Sequence, residues 1–331
     1  MSSTGLFLLA TSVAVAALVS VALLLYKSEL GRACEAARRG SLVVNTDAGP
    51  IEYGQKGAGI PLMSIHGAGG GFDQGLANAA EFVDEGFRII APSRFGYLRT
   101  PVPRDASPAA QADAHAALLS NLNISHVIVV GVSAGARSAV ELALRHPNRV
   151  TALVLISPGT YSPTSPVSVD ARRGSKFTLW LVNHGADFAW WTLEKIAPSV
   201  LIRFVGVRPE LVTASPKVEQ DRVANIVRAI EPLSLRFPGI NVDSSPDLRE
   251  LPLGRISAPT LIISARDDGF NTLPAADFAA SKIPNAKLII YDTGGHLLVG
   301  HQEAVRTAVR SFLAAAGSAV YDLQPKSGQG H

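Results

Sequence analysis

The chain has 331 residues, with 30 Lys and Arg against 27 Asp and Glu, a formal net charge of +3. Charges of the two signs are interspersed, with no long basic block, which argues against nucleic acid as a partner. The one cysteine, Cys34, excludes an intrachain disulfide framework and argues against a thiolate metal site.

The first distinct element is apolar. Residues 5–26, "GLFLLATSVAVAALVSVALLLY", contain no charged side chain. As a helix they rise roughly 33 Å, enough to cross a bilayer core. A core helix of that length would normally show a polar face, and this one shows none. The rival reading is a cleaved signal, which would make the protein secreted. Signals usually carry a basic start and a shorter apolar run, whereas residues 1–4 read "MSST". The expectation is a retained single-pass transmembrane segment over residues 1–26, touching the membrane through 5–26. Lys27, Arg32, Arg38 and Arg39 follow it, and by the positive-inside rule the main domain faces the cytoplasm. Glu29 and Glu35 dilute that signal. Residues 27–40 read as a polar helical linker.

From residue 41 the pattern alternates. "SLVVNT" and "IEYGQ" read as two short strands joined by the turn signal "DAGP". "PLMSIHG" is a strand entering a glycine-rich turn, and "FRIIAPS" is another strand. Residues 107–123 open with Ser-Pro and have helical periodicity. "HVIVVG" is a strand, a helix follows Ser133, and "VTALVLISP" is a strand. Near Pro158 the alternation stops. Helix-like pieces follow, carrying all three tryptophans, Trp180, Trp190 and Trp191. Strands resume with "PTLIISARDD" and "AKLIIYDTGGH", and "QEAVRTAVRSFLAAA" reads as a final helix. Continuous apolar strands alternating with amphipathic helices predict a mostly parallel sheet covered on both faces. The boundaries are a core over 41–158 and 259–315, a helical cap insertion over 159–258 and a flexible tail over 316–331.

Open α/β sheets gather their chemistry at the C-terminal ends of the strands. Ser133 stands at one such end inside "GVSAG", where a strand turns directly into a helix. On its own the serine reads equally well as a helix N-cap or as a nucleophile elbow, G-x-S-x-G. The other strand ends carry "HGAGGG", then Asp267 and Asp268, then His296. The chain order Ser…Asp…His is that of a hydrolytic triad on this kind of sheet.

These marks, "HGAGGG", "SRFGYLRT", "GVSAG", "ISARDD" and "DTGGHLLVGH", resemble the α/β-hydrolase fold superfamily over most of residues 41–315. The overall look is similar to capped members such as meta-cleavage-product hydrolases, haloperoxidase-like esterases and proline iminopeptidases. The resemblance implies Ser133 as nucleophile, His296 as general base and Asp268 as the acid, with Asp267 its close rival. It implies an oxyanion hole built from the backbone N–H of Ala134 and that of Ala68 or Gly69. It implies an α/β-hydrolase fold with a helical cap.

The chemistry suits these residue types. A serine hydroxyl needs an adjacent base to act as a nucleophile at neutral pH. A neutral imidazole provides that base, and a buried carboxylate fixes its tautomer. "HGAGGG" ends without the Gly-Lys-Ser/Thr of a phosphate loop and lacks dinucleotide spacing. No cofactor and no metal are expected. His66 reads as a shaper of the turn, His301 as the start of the last helix, and the remaining histidines as packing or surface residues. The expected function is hydrolysis of an ester, amide or other activated carbonyl of a small, fairly apolar substrate. The alternative is a non-catalytic protein of this fold that binds a ligand or partner at the membrane.

Overall fold

The computed structural model describes residues 3–164, 180, 184, 186–244 and 248–321. The expected cap residues Arg172, Arg173, Lys176, Phe177 and Leu179 lie outside the described residues. So does the expected tail from 322 onward.

Helix α1 (Ser3–Ala36) is followed by strands β1 (Ser41–Thr46), β2 (Gly49–Lys56) and β3 (Ile60–Ile65). Next come α2 (Phe72–Phe82), β4 (Phe87–Pro92), α3 (Pro108–Asn121), β5 (Val127–Val132), α4 (Gly135–Arg145) and β6 (Val150–Ile156). The inserted helices are α5 (Asp187–Ile196), α6 (Pro198–Phe204), α7 (Pro209–Ala214), α8 (Lys217–Arg228) and α9 (Phe237–Ser244). The core resumes with β7 (Thr260–Ala265), α10 (Leu273–Lys282), β8 (Lys287–Tyr291) and α11 (Gln302–Tyr321).

The eight strands form one sheet in the order β1-β2-β4-β3-β5-β6-β7-β8. β1 pairs antiparallel with β2, and β2 antiparallel with β4; the other pairings are parallel. The parallel block explains the uninterrupted apolar runs. Successive side chains of a strand point to opposite faces, and here both faces are covered. Met63, Val129, Leu153 and Ile262 pack on one side with Leu118, Leu119 and Leu142 from α3 and α4. Leu62, Val130, Val154 and Ile263 pack on the other with Val305, Val309 and Leu313 of α11. Each such fully buried aliphatic side chain contributes roughly 1.5–3 kcal/mol.

The polar stretch expected as a helical linker from residue 27 is helical and continues α1 without a break to Ala36. Its residues, Glu, Lys, Arg, Leu and Ala among them, are good helix formers, so the backbone carries on through a change of composition. At the other end α11 continues to Tyr321 instead of stopping at 315. The sequence reading also passed over α2, whose buried Phe72, Gly75, Ala79 and Phe82 do follow helical spacing. Ser107 caps α3 as its Ser-Pro start predicts, accepting the Ala110 N–H at 3.2 Å.

α4 lies close against the end of β3. A Cβ at Gly135 would sit 2.4 Å from the His66 carbonyl oxygen and 2.6 Å from that of Ile65. Both obstacles are backbone, so the helix itself must move. Gly135→Ala is therefore expected to cost about 1–3 kcal/mol of stability, read as a lower urea midpoint with an unchanged slope.

Candidate active site

Ser133 closes β5 and opens α4 with φ +53°, a left-handed conformation rare for a side chain with a Cβ. Hydrogen bonds hold the turn from both sides. The Ser133 N–H donates to the Ile156 carbonyl at 2.9 Å, and the Ser133 carbonyl accepts from the N–H groups of Gly159 at 3.0 Å and Ala136 at 3.1 Å. Such strain at a polar residue persists only where surrounding structure enforces it.

His296 follows β8 and is buried. Its Nδ1 lies 2.8 Å from Asp268 Oδ2. Asp268, beyond the end of β7, also accepts the Phe270 N–H on Oδ1 at 2.7 Å and the Thr272 hydroxyl on Oδ2. Asp267 points elsewhere: it accepts the Gly295 N–H at 2.7 Å and pairs with Arg208 at 3.2 Å. The imidazole is braced through its backbone. Ser157 Oγ donates to the His296 carbonyl at 3.0 Å, and Ser157 N–H donates to Ile263 at 2.8 Å. Ser157 directly follows Ile156, which receives the Ser133 N–H, so the His296 loop and the Ser133 turn are tied to one strand end. No hydrogen bond joins Ser133 to His296 among the described residues; in unliganded sites such contacts are often long and tighten on substrate binding.

The glycine-rich turn after β3 faces the same end. Gly67 N–H donates to Gln74 Oε1 at 2.9 Å and Gly69 N–H to Tyr97 Oη at 3.2 Å. The N–H groups of Ala68 and Ala134 make no hydrogen bond among the described residues. Arginines hold the turn by its carbonyls. Arg94 donates to the oxygens of His66 at 2.9 Å and Gly67 at 3.0 Å, and Arg236 to that of Gly70 at 2.7 Å. His66 Nε2 accepts the Arg94 N–H at 3.0 Å while Nδ1 sits 2.7 Å from the Gly67 oxygen. Burial, then Arg94, holds its pKa well below 6.5, so it is a neutral structural imidazole.

The cap supplies what the sequence reading missed. Gly206, between α6 and α7, has φ +76°, and its carbonyl accepts the N–H groups of both His296 and Gly269 at 3.0 Å. A Cβ there would lie 2.7 Å from His296 Cβ and 2.8 Å from the Phe270 ring. Asp243 on α9 forms a two-pronged pair with Arg94 at 2.8 and 2.6 Å and accepts the Tyr97 hydroxyl at 2.5 Å. Burial raises the Asp243 pKa, but Arg94 and Arg137 outweigh it and hold the carboxyl down at about 2. A cavity of about 360 Å³ opens beside the first turn of α4, with Arg94, Ser107, Gln111, Ala134, Arg137 and Asp243 in its wall.

The described cap aromatics do not line this cavity. Trp190 is fully buried in the cap core, edge-on to Phe204 at 5.6 Å. Phe188 and Trp191 face α1. Among the described residues no group of three His, Cys, Asp or Glu side chains is arranged to hold a metal.

A mostly parallel sheet flanked by helices thus carries a serine turn, a histidine and a carboxylate at its strand ends. The family model described as alpha/beta hydrolase fold matches residues 60–300, and the chain belongs to that family. It is similar to a 2-hydroxymuconate semialdehyde hydrolase of Pseudomonas putida, 28% identical over 274 residues, covering 79% of this chain and 89% of that protein. Among solved structures it is similar to an alpha/beta hydrolase fold protein from Nakamurella multipartita, with TM-score 0.65 and 28% identity over 84% of this chain and 99% of that one. An esterase from Exiguobacterium antarcticum shares the fold, with TM-score 0.59 and 18% identity over 83% of this chain and 98% of its own. With named hydrolases among its relatives, the chain is an enzyme, a hydrolase of this fold.

Proposed function

We propose that the protein is a serine hydrolase that cleaves an ester, amide or other activated carbonyl of a small, fairly apolar substrate. The observation that carries this reading is the 2.8 Å contact between His296 Nδ1 and Asp268 Oδ2 at the sheet end where Ser133 takes its left-handed turn. In this reading Asp268 accepts a hydrogen bond from Nδ1–H, which fixes the tautomer and leaves Nε2 as the base. Ser133 Oγ gives its proton to Nε2 and attacks the carbonyl carbon. The oxyanion is received by the N–H groups of Ala134 and Ala68, which make no other hydrogen bond among the described residues; Gly69, the other candidate, already donates to Tyr97. One such donor is worth roughly 3–4 kcal/mol in the transition state. Nε2–H then protonates the leaving group, and water repeats the sequence to free the acid and restore Ser133.

Apolar side chains stand close to the reacting groups. Ile230 lies over Gly69, and the Phe270 ring is edge-on to His296 at 4.6 Å. Arg94 and Arg137 in the cavity wall are paired with Asp243. These features support a small substrate whose reacting end is uncharged. The test is labelling with a fluorophosphonate probe. One equivalent attached to Ser133, and none in Ser133→Ala, is the expected result; labelling unaffected by that substitution would remove Ser133 from the mechanism.

Residues 5–26 are proposed as a retained single membrane span, with the main domain cytoplasmic as Lys27, Arg32, Arg38 and Arg39 favour. α1 is long and apolar enough to cross a bilayer, and none of its residues is buried. A chain beginning at Arg38 is expected to be soluble without detergent and to keep its kcat/KM on p-nitrophenyl acetate. Release of the full-length protein from membranes by high salt alone would exclude the span.

A further inference from the structure

From the end of its apolar run, α1 grips the cap. The Tyr26 ring lies 5.0 Å from Phe188, edge-on, and 5.7 Å from Trp191; Phe188 and Trp191 stack at 6.0 Å. One turn further along, Glu29 Oε2 accepts the Trp191 indole N–H at 2.8 Å and pairs with Lys195 at 3.0 Å. The Lys195 ammonium also lies over the Trp191 ring at 5.9 Å. Phe188, Trp191 and Lys195 fall at i, i+3 and i+7 of α5 and so form one stripe of that helix. These contacts lower the Glu29 pKa, chiefly through Lys195, so the pair is ionic at neutral pH.

Tyr26 is the last residue of the apolar run. A tyrosine at the end of a span sits at the headgroup level. The clasp therefore brings α5 to that same level, since the ring contacts span only a few ångströms. The helix is suited to that layer. Phe188 remains 45% exposed and Ile196 75% exposed, and Lys27 and Arg32, in the polar part of α1 that follows Tyr26, are exposed as well. Apolar and aromatic groups for the interface, flanked by cations for anionic headgroups, are the composition of a lipid-facing surface.

We propose that this clasp seats the cap, through α5, on the headgroup layer of a phospholipid bilayer, and that the enzyme thereby takes its ester from the membrane. Cap and site are mechanically joined. α6 follows α5 directly, and the next loop carries Gly206, whose carbonyl holds the backbone of His296. The placement of the cap rests on the proposed span, and the consequence for substrate rests on the proposed hydrolase.

All three tryptophans of the chain, Trp180, Trp190 and Trp191, belong to the cap, so tryptophan emission reports on the cap alone. Full-length protein is reconstituted into phosphatidylcholine–phosphatidylglycerol vesicles containing lipids brominated near the headgroup. The expected result is tryptophan quenching that drops at least about two-fold in Glu29→Lys, as a closed clasp becomes a mixture of open and closed states. Absence of quenching in vesicle-bound wild type, or equal quenching in the variant, would overturn the seating. Failure to float with vesicles would overturn span and seating together. In the second arm Glu29→Lys should lower turnover of p-nitrophenyl palmitate in the vesicles several-fold and leave soluble p-nitrophenyl acetate unchanged. Loss on both esters alike, or on neither, overturns delivery from the membrane. No turnover of either by wild type, with quenching intact, overturns the hydrolase and leaves the seating standing.

Discussion

Ser133→Ala is expected to lower kcat roughly 10⁴- to 10⁶-fold on p-nitrophenyl acetate, and His296→Ala by a similar factor. The two residues act on one proton, so the double variant should be scarcely worse than either single one. The fold should survive in Ser133→Ala. The bonds that hold the turn run through the backbone, from Ser133 N–H to Ile156 and from Gly159 and Ala136 to the Ser133 carbonyl, and none uses the hydroxyl. A circular dichroism spectrum and urea midpoint close to wild type, beside the lost turnover, are the expected pair of measurements. Turnover near wild type in Ser133→Ala would end the mechanism.

What the sequence shows of this site follows from how a parallel sheet is built. β3, β5, β6 and β7 are each a short apolar run buried on both faces, so the first small or polar residue after each run marks a strand end. Ser133, the "HGAGGG" turn, the Asp267–Asp268 pair and His296 could be placed at or just beyond strand ends in that way, while the choice of Asp268 over Asp267 came from the family resemblance. The braces could not. Gly206, Arg236 and Asp243 lie in the insertion, on or beside helices of only 7, 6 and 8 residues. Arg236 reaches the Gly70 carbonyl and Asp73 across 166 and 163 positions of chain. Local periodicity carries no information on which cap residue meets which core turn. The same limit applied to α1: helix past Lys27 was legible, but that Tyr26 and Glu29 find partners on α5 was not.

Asp268→Asn is expected to reduce kcat roughly 10³- to 10⁴-fold, against less than about tenfold for Asp267→Asn. The ranking follows from the fixed donors around each carboxylate. Asp268 Oδ1 receives the Phe270 N–H at 2.7 Å, a backbone donor that cannot turn into an acceptor. An asparagine must keep its one oxygen there, which turns its NH₂ toward His296. That arrangement makes Nδ1 the acceptor and puts the proton on Nε2, where it blocks the transfer from Ser133. At position 267 the asparagine oxygen can still accept the Gly295 N–H at 2.7 Å. Only the pair with Arg208 is lost, and the arginine side chain there is 59% exposed, so little energy goes with it. Measuring kcat for both variants on one soluble ester, with stability checked in parallel, decides the matter. A larger loss in Asp267→Asn would mean that the acid acts through the backbone of Gly295 and would move the proposed role from Asp268 to its neighbour.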